Sequence, residues 1–530
     1  MSASREKKTR QDQASSGWTD PKTVREAQQR REAHRTNVLY GIIGVVFLVI
    51  AIAAVVWKTN IIPKSVTAAT VNGEKYTAAE VNYYYENYYQ DFLNDAYSIL
   101  SMIGLDTSSS LKDQTISSTA ASMLPAMGRP EAEEGENWYD YFARAALEQL
   151  SSIQALCESA EADGFTWTDE LQAQLDESLE SLASAAATYG YSEEQYLSLV
   201  YGSTMTRKIY EEQTQRSLLA SAYLQNYQDG LSYTEDELEA AYAEDTTLYD
   251  VVDCAYIRVN SAAASTDEEG NEIEVTEEME AEALADAEAA ADAIYAAYQA
   301  GTPLEDAAEG YDDIAYYNAN SAYTYNTSVL GEWLYDDARQ AGDSAVLEDE
   351  GNDAIYVAVF NDRGRYDYNT VDVRHILIQP EATELSEDDE GYEADVEAKD
   401  DAAEAKAQEI LAEWENGEAT EDSFAALANE YSQDPGSNTT GGLYEQVYQG
   451  QMVTEFNDWC FDEGRQPGDT GIIHNDSTGY HVMYFVGLDQ PYWEIQVTSA
   501  LKNEATNAWF EEKTADYTAE QSSFGMRFVG

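Results

Sequence analysis

The chain has 530 residues, 44% hydrophobic and 25% charged, with 101 Asp and Glu against 29 Lys and Arg and a formal net charge of -72. That length exceeds what one hydrophobic core organises, so several domains are expected. So acidic a surface repels nucleic acid and excludes it as a partner.

Near the N-terminus, "VLYGIIGVVFLVIAIAAVVW" at residues 38–57 is an uncharged run. As a helix it would be about 30 Å long, the thickness of a bilayer's hydrocarbon core. It is preceded by Arg5, Lys7, Lys8, Arg10, Lys22, Arg25, Arg30, Arg31 and Arg35. The positive-inside rule then keeps residues 1–37 in the cytoplasm and everything after Lys58 outside. A cleaved signal peptide is the alternative, but the run is longer than a signal core and no small-residue cleavage site follows it promptly. The expectation is a single-pass membrane anchor. Cys157, Cys254 and Cys460 are too few, and odd in number, for a disulfide framework, and none is assigned a catalytic role.

After the anchor, Asn72-Gly73 between short β-prone runs signals a hairpin, and Thr77 with Glu80 forms a capping box that opens a helix. To about residue 245 apolar and Tyr residues keep three- and four-residue spacing, which predicts a helical domain over 65–245 with its tyrosines mainly in packing.

From about 246 the pattern becomes strand, acidic loop, Ala-rich helix, helix, strand, and from about 367 it recurs. "EWLYDDARQAGDSAV" lies over "DWCFDEGRQPGDTGI", so that Trp333, Asp336, Arg339, Gln340, Gly342 and Asp343 fall on Trp459, Asp462, Arg465, Gln466, Gly468 and Asp469. The offset is 119 at the first strand (375 minus 256), 126 at the tryptophan (459 minus 333) and 125 at the last strand (481 minus 356). This is a tandem duplication with its length changes in loops. The chain has four histidines, and the second copy places two in strands, His375 in "RHILI" and His481 in "GYHV"; the first copy has Tyr256 and Tyr356 there. Two histidines replaced together point to one coupled site present in one copy only.

Four blocks of the second copy, "RHILI", "FAALANEYSQDPGSNTTGG", "QGQMVTEFNDWCF" and "GYHVMYFV", over about residues 370–488, resemble in order the parvulin-type peptidyl-prolyl cis/trans isomerases. The full outer layout resembles the extracytoplasmic foldases of the PrsA and SurA kind. The resemblance implies an α+β fold in which a four-stranded antiparallel sheet is surrounded by helices. It carries the catalytic set onto His375, Asp434 and His481, and the apolar floor that receives the proline ring onto Met452 and Phe456. Where the family usually reads Gly-Gly-Asp-Leu-Gly this chain has "GGLYEQV", so the pocket leucine becomes Tyr444 in an ungapped reading or remains Leu443 with a local shift. A hydroxyl residue usual five positions before the last histidine is Asp476 here, with Ser477 and Thr478 beside it.

Amide rotation faces a barrier of ~18–20 kcal/mol and makes or breaks no bond, so no cofactor or metal is required. The acid-rich stretches "STDEEGNEIE" and "LSEDDEGYE" lack the alternating ligands, central Gly and terminal Glu of a calcium loop and read as solvated insertions. His474 reads as a surface residue.

The expected organisation is a cytoplasmic tail at 1–37, an anchor at 38–57, a helical SurA-like chaperone domain at 65–245, and a degenerate parvulin-like domain at 246–366. A parvulin isomerase domain at 367–490 and a C-terminal helix at 491–530 packing on the helical domain complete it. The expected function is a membrane-anchored foldase acting on newly secreted or unfolded polypeptides with X-Pro bonds; the alternative is a non-catalytic holdase chaperone that uses parvulin domains to bind clients.

Overall fold

The computed structural model describes residues 64–530 except 267–271, 312 and 387, together with Val45, Val46 and Leu48. The expected anchor at 38–57 and the basic tail before it lie outside the described residues but for those three positions. Among the described residues no helix is long and apolar enough to cross a membrane. The chain is mixed helix and antiparallel sheet and divides into two compact units, one made of residues up to Gly230 with Ala505–Gly530, the other of Leu231–Glu504.

The first unit opens with a hairpin of β1 (Thr67–Val71) and β2 (Glu74–Thr77), whose turn residues Asn72 and Gly73 both adopt positive φ, 47° and 84°, as a tight hairpin turn requires. A third strand, Ala519–Gln521, pairs with β1. Thr77 and Glu80 exchange the hydrogen bonds of a capping box and start the helix Ala78–Asp95. Its consecutive Tyr83, Tyr84 and Tyr85 are all buried, with Tyr84 Oη donating to Gln213 Oε1 at 2.9 Å and Tyr83 Oη 3.1 Å from Thr214 Oγ1. These rings are core, joined by Phe92, Trp138, Tyr141 and Phe142, the last three from the helix Trp138–Ala162. The chain's end belongs to the same unit. Trp509 stacks on Tyr227 with ring centroids 4.4 Å apart, and Tyr139 Oη donates to the Met526 carbonyl at 2.7 Å.

The second unit begins with the helix Glu235–Glu244, whose Leu238 packs with Tyr249, Trp493 and Val497. The helical span expected over 65–245 therefore runs past the division between the units, because this last helix finds its apolar partners in the second. The first repeat holds β3 (Val251–Asn260), β4 (Ala315–Tyr323), β5 (Ser344–Asp349) and β6 (Ala354–Gly364) in the sheet order β4-β3-β6-β5. The second holds β7 (Asn369–Ile378), β8 (Leu443–Val447), β9 (Thr470–Asn475) and β10 (Gly479–Pro491) in the order β8-β7-β10-β9. The two orders are the same.

The duplicated motif explains why. In both copies a Gly N–H and an Asp carbonyl clamp a central-strand Phe: Gly342 with Asp343 on Phe360, and Gly468 with Asp469 on Phe485, all at 2.8–2.9 Å. In both, the Arg guanidinium lies over the Trp ring, Arg339 on Trp333 at 4.8 Å and Arg465 on Trp459 at 3.9 Å.

Period-two alternation gives the second sheet two apolar faces. Ile376, Ile378, Tyr480, Val482 and Tyr484 pack against Ala407, Ile410 and Trp414 of the helix Tyr392–Asn416 and Phe424 and Ala428 of the helix Glu421–Tyr431. Val371, Val373, Met483 and Phe485 pack on the other side against Phe456 and Cys460 of the helix Thr454–Cys460. The histidines belong to the latter face.

Candidate active site

On the central strands His375 of β7 pairs with Met483 of β10, and Leu377 pairs with His481. The two histidines are thus diagonal neighbours on one face of the sheet, close enough for their side chains to meet. Their rings stack at 5.2 Å, both nearly buried at 4% and 5% exposure, with the Nδ1 atoms 3.0 Å apart. Phe456 stands edge-on to both, at 5.5 Å from His375 and 5.7 Å from His481.

From the loop after the helix Glu421–Tyr431, Asp434 reaches in so that its Oδ2 lies 2.9 Å from His375 Nε2. The same oxygen accepts from the Ser437 hydroxyl and, at 3.0 Å, from Tyr444 Oη, while Oδ1 accepts the Gly436 N–H at 3.2 Å. The hydrogen bond from His375, with those of Ser437 and Gly436, holds the Asp434 carboxyl well below the usual carboxylate range. A carboxylate only accepts, so His375 Nε2 carries a proton. His375 Nδ1 and His481 Nδ1 share the next hydrogen bond, and His481 Nε2 shares one with Thr478 Oγ1 at 2.8 Å. The result is one chain of hydrogen bonds joining Thr478, His481, His375 and Asp434. Burial, and next the neighbouring His375, lower the His481 pKa to about 4, which keeps that ring uncharged at neutral pH.

The local chain explains the loop. Gly442 has φ of 72°, and a Cβ there would collide with the His375 carbonyl; its own carbonyl accepts the His375 N–H at 2.8 Å. Gly441 N–H is taken by Asn429, and Arg374 donates to the carbonyls of Thr440 and Gly441 while pairing with Glu421 at 2.9 Å. The Gly-Gly pair and Arg374 therefore fix where Asp434, Ser437 and Tyr444 stand.

His375, Asp434, His481, Phe456 and Tyr444 come together, and Met452, partly buried, joins the same apolar cluster. Leu443 does not. Tyr444 is opposite Val373 and Leu443 opposite Arg374, so the pleat sends Leu443 to the other side of the sheet from His375.

Asp476 is likewise not at the site: its side chain is fully exposed, and the hydroxyl that reaches His481 is Thr478, three positions back rather than five. Ser437, fully buried, escaped sequence reasoning; its place three residues after Asp434 in a Pro-Gly turn is the signal that marks it. His474 stacks on Tyr480 at 4.3 Å, half-exposed and apart from the chain of four. Cys254 and Cys460 are buried thiols, the latter pushed up to about 12 by burial. Among the described residues no cluster of His, Cys, Asp and Glu is arranged to hold a metal ion.

Residues 360–486 match the model of the PPIC-type PPIase domain family. The second repeat is a parvulin-type peptidyl-prolyl isomerase domain. Foldase protein PrsA 4 of Bacillus cereus is 38% identical over 80 residues, which are 15% of this chain and 26% of that protein. The chain thus aligns with about a quarter of that relative's length. Among solved structures, the peptidylprolyl isomerase PrsA of Bacillus anthracis is similar at 21% identity, covering 28% of this chain and 58% of that one with a TM-score of 0.17. The foldase protein PrsA of Streptococcus pneumoniae is similar at 10% identity over 73% of this chain and 92% of that one, with a TM-score of 0.23.

In the first repeat, Tyr256 is opposite Ala358 and Arg258 opposite Tyr356, so the two tyrosines occupy the same diagonal as the histidines, with rings 5.8 Å apart. By the 126-residue offset of the tryptophan motif, Phe456 falls on Leu330 (456 minus 126) and Met452 on Asn326 (452 minus 126). Asn326 donates its amide to Tyr323 Oη at 2.9 Å, so a polar contact stands at the position of Met452, while Leu330 keeps the position of Phe456 apolar.

Proposed function

We propose that the chain is an extracytoplasmic, membrane-anchored foldase whose second repeat catalyses cis/trans isomerisation of X-Pro bonds in unfolded or newly secreted polypeptides. The observation that carries this reading is the buried His375–His481 pair, its His481 ring uncharged, tied to an ionised Asp434 beside Phe456 and Met452.

Prolyl isomerisation requires loss of amide resonance in a twisted state, with a barrier of ~18–20 kcal/mol. The planar amide carries partial negative charge on its oxygen, and a fixed carboxylate in a dry site disfavours that charge separation. Asp434 is held ionised by His375, Ser437 and Gly436 for this role, His375 and His481 position it, and Met452 and Phe456 exclude water around the proline ring. Tyr444, Asp434's other hydrogen-bond donor, narrows the pocket on the side where the family has a leucine. No nucleophile and no cofactor enter the step.

The first repeat, 246–366, is read as a parvulin-like module without the reaction. Tyrosine hydroxyls do not reproduce paired imidazoles, and Asn326 stands at the Met452 position of the floor while Leu330 stands at that of Phe456. That substitution supports a second reading, a holdase that keeps clients soluble through this repeat and the helical domain at 65–245. The basic residues before 38–57 support a cytoplasmic N-terminus with the acidic domains outside the cell.

The test is refolding of a client whose slow phase is proline isomerisation. The intact chain accelerates that phase and His375→Ala/His481→Ala does not. Suppressed aggregation with no acceleration by the wild type would leave the holdase reading in its place.

A further inference from the structure

Six strands form the edges of the three sheets among the described residues: β2, β4, β5, β8, β9 and Ala519–Gln521. Free edges offer unpaired backbone N–H and C=O groups, and proteins blunt them by shortness, charge or bulges. Five of these edges follow that rule. β2 has Glu74 and Lys75, β5 has Glu348 and Asp349, β8 has Glu445, Ala519–Gln521 has Glu520, β9 is uncharged but short, and none exceeds six residues.

β4 breaks it. It runs nine residues as AYYNANSAY, without a charge, and all but Ala315, Asn320 and Tyr323 are exposed, Tyr316 at 56% and Tyr317 at 39%. The uncharged stretch extends from Ile314 to Gly331 in a chain a quarter of whose residues are charged. The equivalent edge of the isomerase repeat shows what blunting looks like. β8 has five residues, Gln446 adopts φ of 55°, and its N–H is taken by Asp372.

We propose that the free edge of β4 is a strand-addition site for an extended, non-acidic polypeptide segment. An added strand would complete the backbone pairing that β3 provides on the other side. Its side chains would meet Asn318, on the face shared with Tyr256, and Tyr317 and Ala319 on the opposite face. The charge pattern selects the occupant. Asp313 precedes the uncharged stretch, and Glu332, Asp336 and Asp337 follow it, so a neutral core with basic flanks is complementary. A second copy of this chain, with the same net charge of -72, is repelled.

The inference rests on the foldase reading only for the nature of the client. Its readout is binding, measured apart from isomerase rate, so either can fail alone.

The experiment uses the intact chain and a short fluorescent peptide of alternating valine and threonine with lysines at both ends. The peptide binds saturably, and Tyr317→Lys/Asn318→Lys weakens binding by about tenfold or more through charge placed on the edge. The turnover of a short X-Pro substrate is unchanged in that variant. The same peptide N-methylated at alternate residues binds about tenfold more weakly, since it lacks the ladder donors. Hydrogen exchange of the wild type, which needs no variant, shows new protection at β4 amides when the peptide is added. Equal binding by variant and wild type, equal binding of the N-methylated peptide, or protection confined to other segments would each overturn the proposal. So would concentration-dependent dimerisation that the double substitution abolishes, which would make a second copy the occupant.

Discussion

The Nδ1 atoms of His375 and His481 lie 3.0 Å apart across a diagonal of the central strand pair, and this hydrogen bond joins Thr478 at one end of the site to Asp434 at the other. Neither ring is needed for the strand ladder, whose bonds are backbone. We therefore expect His481→Ala to keep the sheet while leaving His375 Nδ1 without its partner, at a stability cost of about 1–3 kcal/mol. kcat/KM for an X-Pro peptide should fall by ~10-fold or more, equivalent to ~1.4 kcal/mol of transition-state stabilisation. Circular dichroism beside the rate separates the two effects; an unchanged rate in a folded variant would remove the histidine pair from the chemistry.

The buried His481 makes stability depend on pH. Its folded pKa of about 4 is below the unfolded value, so between pH ~6.5 and ~4 the unfolded chain binds the extra proton and stability falls with pH. The contribution is complete above the unfolded pKa and reaches about 3 kcal/mol at most. Asp434, also depressed, adds its loss at lower pH, below the ordinary carboxylate range. Thermal melts from pH 7 to pH 4 should show a decline that is shallower in His481→Gln. Parallel curves for the two proteins would contradict the buried neutral ring.

Tyr444 is one of three side chains donating to Asp434. Tyr444→Phe deletes its bond and leaves the ring, so the Asp434 pKa should rise and stability should drop by about 1 kcal/mol. Carboxyl carbon NMR titration reads the shift directly. No change would mean the phenol contributes nothing to holding the charge.

Gly442→Ala should be far worse than its size suggests. Both the positive φ and the His375 carbonyl oppose a methyl group, so a loss of several kcal/mol and collapse of the Asp434 loop are expected. A variant that melts like wild type would show that the loop relaxes freely.

The sequence made the site legible unevenly. The duplication is legible because Gly and Asp are fixed by a clamp on a central-strand Phe and Arg by its stacking on Trp, and both contacts are the same in the two repeats. The histidines were legible because strand alternation and the missing partners in the first copy pointed the same way. Leu443 is offered by the family pattern as an alternative to Tyr444, yet a pleat reverses a side chain with each residue; and where that pattern meets Asp476, a turn hydroxyl can be supplied from any position that faces inward, here Thr478. Ser437 left no periodic trace, since its role depends on a turn. The helix Glu235–Glu244 reads like those before it, and only its apolar partners assign it to the second unit.

The central claim is that one repeat catalyses and the other does not, and X-Pro isomerisation by the intact chain with substitutions in either repeat tests it most directly. The account predicts that His375→Ala/His481→Ala abolishes acceleration over buffer, while Tyr256→Phe/Tyr356→Phe leaves kcat/KM unchanged. Retained catalysis in the first variant, or its loss in a folded second variant, would contradict it.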